Sequence, residues 1–128
     1  MMTKVKKRTK ISVELGSEQD LELLRESTKK TYEALRDIDE GDFPPERRQE
    51  YWRNRHFART AWERAENATL ADLKEEQKRR LPAVATSNAK LARDVQATGN
   101  VLEMLDLVST SLNVLAEVIT LLGPVIPK

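Results

Sequence analysis

The sequence predicts an all-α protein, an elongated antiparallel helical hairpin or three-helix bundle with coiled-coil-like packing. Three observations predict it. Apolar residues recur at threes and fours along most of the chain, which is the repeat of a helix face. Gly and Pro are scarce, four and five in 128 residues, and aromatics are 5%, too few for the many turns of a β-sandwich or barrel. Most of the Gly and Pro that are present punctuate the periodic runs, with Gly99 the one that interrupts a run.

Residues 1–16 read as a basic flexible arm and lead-in. Lys4, Lys6, Lys7, Arg8 and Lys10 are five cations with no acid among the first ten residues. Ile11, Val13 and Leu15 alternate, so a short strand or extended lead-in is expected there. A single helical domain is expected over 17–123. Its first helix, about 18–40, starts at the N-cap Ser17 with Asp20 three residues on, the acidic half of a capping box. Leu21, Leu24, Thr28, Tyr32, Leu35 and Ile38 give it one face, and Gly41 stops it.

A second helix is expected over about 45–80. Pro45 suits its first turn, where a missing N–H costs nothing. Tyr51, Ala58, Trp62, Ala65, Thr69 and Leu73 make its stripe, with a kink allowed near 67–69 because Thr69 and Asp72 can cap a new start. Leu81-Pro82 reads as a firm break, since a residue before Pro is pushed out of the helical region. A third helix is expected over about 83–122. Val84, Asn88, Leu91, Val95, Thr98, Leu102, Leu105, Ser109, Leu112, Ala116 and Ile119 keep a 4-3 rhythm across Gly99-Asn100, so one continuous helix with a weak point at Gly99 is expected. Gly123-Pro124 ends it, and 124–128 form a short tail.

The charge is uneven. Residues 1–80 hold 19 Lys and Arg against 17 Asp and Glu, whereas 81–128 hold three against four. Within the first part, 11–46 carry a net −7 and 47–80 a net +4, so helices folded back on each other can pair their charges, or the blocks can dock partners. With no Cys and one His, thiolate metal sites, cysteine nucleophiles and histidine triads have no residues to build on. His56 lacks an orienting partner, and Glu46, Glu50, Glu63 and Glu66 lack the Glu-x-x-His pairing of di-iron bundles. No catalytic, cofactor-binding or metal-binding residue is therefore assigned, no cofactor or small-molecule substrate is expected, and the chain reads as a non-enzyme. The basic start has no apolar stretch after it, so no secretory signal is read, and a cytoplasmic location is expected, with membrane association as the other case.

Two segments carry the functional expectations. From 101 to 122 the polar residues Glu103, Asp106, Thr110, Asn113, Glu117 and Thr120 form one narrow stripe, and nearly all else is apolar. A helix this greasy exceeds what a three-helix hairpin covers, so its surplus is expected to meet another protein or a second copy of the chain. Leu105, Val108, Leu112, Leu115, Val118, Ile119 and Leu122 are the expected interface. The alternative is a membrane-active or membrane-attached protein inserting 101–126, in which Glu117 would face a pore. A second alternative is single-strand nucleic-acid binding. Arg48, Trp52, Arg55 and Arg59 share a helix face, where cations can hold phosphates and a ring can stack on bases, helped by the basic arm.

Overall fold

A computed structural model of the chain describes residues 15–123. The expectations for residues 1–14, including the strand at Ile11 and Val13, and for the tail at 124–128 lie outside the described residues. The all-α expectation holds: five α-helices follow one another, α1 (Glu18–Arg36), α2 (Arg48–Asn67), α3 (Glu75–Ala97), α4 (Val101–Thr110) and α5 (Leu112–Leu122), with no strand among the described residues.

α1 lies against α2 and α3, and the α4–α5 arm lies against the same two helices from the other side. Going round the bundle the order is α1, α2, α4–α5, α3. Side-chain bonds fix the directions. Arg25 near the start of α1 reaches the carbonyls of Ala65 and Ala68 at the end of α2, so these two run antiparallel. Gly16 and Lys78 join the starts of α1 and α3, which run parallel. Arg47 reaches Asp106 and Arg64 reaches the Ile119 carbonyl, so α2 and the α4–α5 arm run parallel. The core between them holds Leu21, Leu24, Leu35, Leu81, Val95, Val108, Leu115, Val118 and Leu121, and a smaller cluster of Phe43, Tyr51 and Leu105 closes one pole.

The helix boundaries correct the sequence reading at five places. α1 ends at Arg36, not at 40: the N–H of Asp37 still bonds to the Glu33 carbonyl, but Asp39 then accepts from Gly41 N–H at 3.0 Å and draws Glu40–Asp42 into a separate 3₁₀ turn. The continuous helix over 45–80 does not form. Pro45–Arg47 is a 3₁₀ turn, α2 stops at Asn67, and a second 3₁₀ turn at Leu70–Asp72 precedes α3. Thr69 and Asp72 bond to each other at 2.9 Å, while Ala68 and Leu73 are buried on either side and anchor the turn to the core.

Pro82 is not a break but sits inside α3. A helical Pro leaves the carbonyl four residues back without its partner, at a cost of about 3 kcal/mol. Here that carbonyl belongs to Lys78, and the N–H of Gly16 donates to it at 2.7 Å. Gly16 can come this close because it has no Cβ; one built there would meet the Leu81 side chain at 2.6 Å.

The helix over 83–122 is not continuous. Asn100 caps α4 by accepting from Glu103 N–H at 2.8 Å, and Thr98 turns its N–H and hydroxyl onto the Val95 carbonyl, so the chain reverses at Gly99. A further break at Ser111 bends α5 from α4 by 50°. The longest helix, α3, thus has 23 residues, and the long arms of the expected hairpin are folded into shorter columns.

Candidate functional site

The polar stripe read from the sequence is the outward face of the α4–α5 arm: Glu103, Asp106, Thr110, Asn113, Glu117 and Thr120 are all exposed. The apolar remainder is wide because the arm is flanked by α2 on one side and α3 on the other. Of the seven residues expected at an interface, Leu105, Val108, Leu115 and Val118 are 0% exposed and belong to this chain's own core. Leu112, Ile119 and Leu122 are half-buried at its margin. Breaking the long helices is what changed the coverage: a bundle with two flanking helices buries more of this arm than a hairpin would.

The 4-3 rhythm and the core also part company after the turn. Along 102–119 the rhythm passes through Leu102, Leu105, Ser109, Leu112, Ala116 and Ile119, yet only Leu105 of these is buried. The chain's core uses Leu105, Val108, Leu115, Val118 and Leu121 instead. A second row, Leu112, Ala116 and Ile119 on α5, therefore runs beside the core row and stays partly in water, and Leu102 on α4 is 41% exposed. No single helix among the described residues is long and apolar enough to cross a membrane; α4 and α5 reach that hydropathy and length only together, across their bend.

The α4–α5 arm is strapped to α2 by a polar network that the sequence did not point to, because its members come from separate helices. Arg47 grips Glu50 with two bonds of 2.7 Å and Asp106 with one of 2.6 Å. The Ser109 hydroxyl donates to Glu50 and accepts from the Asn54 amide at 2.9 Å. Asn54, fully buried, has its amide turned to the Leu105 carbonyl as well. The Arg47 guanidinium first, and the Ser109 hydroxyl after it, hold the Glu50 carboxyl at about 2, against the opposing effect of partial burial.

The Arg/Trp face lies on the outer side of α2. Trp52 is 45% exposed, and the Arg55 guanidinium stands over its ring at 4.9 Å. Arg55 also points at the Tyr51 hydroxyl, 3.4 Å away. Arg48 pairs with Glu40 at 3.3 Å and Arg59 with Glu63 at 3.1 Å. The structure thus brings the four residues to one face, and two of the three guanidiniums already have carboxylates. Gly16, just before the start of α1, is at the opposite pole from Arg48 and Trp52, beside the start of α3.

Beside the far end of α2 is a feature the sequence reading did not single out. Glu18, Glu22, Leu23, Glu26 and Glu66 border an open depression of about 550 Å³, with Arg25 and Lys29 in its wall. Arg25 ties Glu18 and Glu22 at 2.9 Å each while capping the end of α2. The 18-22-26 spacing of carboxylates was the signal for it, since residues four apart share a helix face. No protein-family model, curated protein or solved structure matches this chain.

Proposed function

We propose that the chain is a non-enzymatic helical interaction protein that self-associates through its C-terminal helical arm. The observation that carries this reading is the row Leu112, Ala116 and Ile119. It keeps a coiled-coil rhythm, yet it lies beside the chain's own core row and remains partly in water. A coiled-coil-like seam with a second copy gives that row the burial it lacks. Leu102, Leu112, Ile119 and Leu122 are the contact residues in this reading, and Leu105, Val108, Leu115 and Val118 are the scaffold that holds them in place.

Light scattering with and without detergent tests it. The wild type is expected above monomer mass in buffer, and Leu112→Asp at monomer mass with its helical circular dichroism retained. Ala116→Arg, a substitution in the middle of the row, gives the same answer should Leu112→Asp fail to fold. A monomeric wild type at high concentration, unchanged in both variants, overturns the reading. Sedimentation of the wild type with liposomes while it stays monomeric in buffer overturns it in favour of membrane attachment through 101–126.

A further inference from the structure

We infer that Thr98–Asn100 is a hinge at which the α4–α5 arm passes from its own bundle to that of a second copy of the chain, so that each copy's arm fills the other's slot between α2 and α3. This rests on the reading that the arm is the element of self-association, and it says how the two copies are joined. The arm is the last helical element among the described residues, and only these three residues attach it to α3. Its side-chain fastenings run to α3, to α2 or to the turn before α2. Asp106 bonds to Arg47 at 2.6 Å, Ser109 to Asn54 at 2.9 Å, the Ile119 carbonyl to Arg64 at 3.3 Å and the Leu121 carbonyl to Gln77 at 2.6 Å. A second copy presents every one of these partners in the same place. Its slot therefore fits the incoming arm as closely as the arm's own slot does, which is what names a second copy as the partner.

The connection holds its reversal by local bonds. The Thr98 N–H and hydroxyl donate to the Val95 carbonyl at 3.3 and 2.8 Å, and the Asn100 side chain accepts from Glu103 N–H at 2.8 Å. Gly99 is exposed, and a Cβ built there would meet nothing within 4 Å, so no packing pins the turn. Across it the 4-3 rhythm keeps its phase: a helical connection sets Val95, Thr98, Leu102 and Leu105 along one face. In the closed bundle that continuity goes unused at Leu102, which is 41% exposed although Val95 and Leu105 on either side are 0% exposed. With the connection straightened, α3 and α4 form one helix that leads the arm into the second bundle. Two such helices run antiparallel past a two-fold axis near Gly99, and each Leu102 gains the other helix as cover. Only the connection differs between the closed and exchanged forms, and a short connection invites the exchange. Docking through the Leu112 row holds two copies at high effective concentration while the arms change places. Leu112→Asp, unable to dock, accordingly stays closed and monomeric.

The test is covalent trapping read on a denaturing gel, which a chain without cysteine allows. The Arg53 guanidinium donates to the Ser109 hydroxyl at 3.3 Å across the seam between α2 and α4. Arg53→Cys with Ser109→Cys, joined by a short bifunctional thiol reagent, links a chain to itself in the closed form and to its partner in the exchanged form. The expected product has twice the chain mass. Arg47→Cys with Asp106→Cys reports on the same seam should the first pair fail to fold. Two single-thiol proteins, one Arg53→Cys and the other Ser109→Cys, are unfolded in urea and refolded as a mixture; they are expected to become linked one to the other. A run of glycines inserted after Gly99 lets the arm return to its own slot and is expected to give the single mass. An assembly seen by light scattering whose linked product has the single mass overturns the exchange and leaves the Leu112 row standing as a contact between closed bundles. A wild type that is monomeric by light scattering overturns that reading, and the exchange with it. A product of twice the mass that persists with the lengthened connection overturns Thr98–Asn100 as the hinge.

Discussion

The α1–α2 pair and the α4–α5 arm pack on the same core with different chemistry. Where α1 and α2 meet the interior, many residues are small or hydroxylated: Ser27, Thr28 and Thr31 on α1, and Ala58, Ala61 and Ala65 on α2. The hydroxyls bond back to carbonyls of their own helix, Thr28 to Leu24 at 2.7 Å and Thr31 to Ser27 at 3.1 Å, so they are buried without being orphaned. Helix ends are then fastened by long side chains from a neighbour. Tyr51 donates to the last-turn carbonyl of Leu35 at 2.8 Å, and Arg25 holds the end of α2. The α4–α5 arm instead buries Leu105, Val108, Leu115, Val118 and Leu121 almost completely, and its end too is held by neighbours, Arg64 at the Ile119 carbonyl and Gln77 at the Leu121 carbonyl. Close packing of small residues and bulky aliphatic burial are thus two solutions within one bundle, both fastened by polar clamps. The difference teaches where the chain's surface is free. The pair with small seams keeps its charges and Trp52 outward, whereas the greasy arm keeps an outward polar stripe.

The sharpest break of this comparison is a cavity. Leu115→Ala removes a fully buried side chain from the arm and is expected to cost about 2–5 kcal/mol, read as a lowered urea midpoint. Ala61→Gly on α2 removes a single methyl and is expected to cost about 1 kcal/mol, the ordinary helix penalty. Equal losses at the two sites would mean that the small seam carries as much burial as the aliphatic one.

A smaller effect is expected where the two regions join α3. Gly16→Ala places a Cβ 2.6 Å from the Leu81 side chain, itself wholly buried and unable to yield, so Gly16 must withdraw from the Lys78 carbonyl. Overpacking of this kind costs about 1–3 kcal/mol. Because the carbonyl concerned is the one freed by Pro82, the double variant with Pro82→Ala, which restores the helical N–H, is expected to lose less than the single one. A double-variant cycle by urea unfolding checks it; additive losses would show that the two residues do not share that carbonyl.

These residues also show how far the chain could be read in advance. Local chemistry was legible. Asp20 does accept from Ser17 N–H, at 2.9 Å, and Asn100 caps α4. The outward stripe of the arm was visible from spacing alone. Pro82 was not legible, since what keeps it in a helix is an N–H from a residue remote in sequence. At Gly99 the cap chemistry of Asn100 outweighed an unbroken apolar rhythm, because a bundle gains more by folding the arm back than by extending it. For the surfaces, residue types placed Arg48, Trp52, Arg55 and Arg59 together, but which side chains of 101–122 stay at the margin depended on the flanking helices, which no single-helix pattern encodes.

The smallest expected effect concerns the strap between α2 and α4. Glu50 is held at about 2 in the folded chain, below an ordinary value of 4.5, chiefly by Arg47 and then by Ser109. A carboxyl depressed by folding stabilises the native state fully above its unfolded value and loses that contribution as pH falls towards its folded one. The window is therefore from about pH 4.5 down to about pH 2. Glu50 retains side-chain exposure of 23%, so solvent screens the pair and the loss is modest. Glu50→Gln keeps the shape but has no charge to titrate. Urea midpoints followed across that window are expected to fall more steeply in the wild type than in Glu50→Gln. Parallel curves would mean that the network holds α4 by hydrogen bonding alone, and the arm would then owe its place on α2 to its aliphatic row.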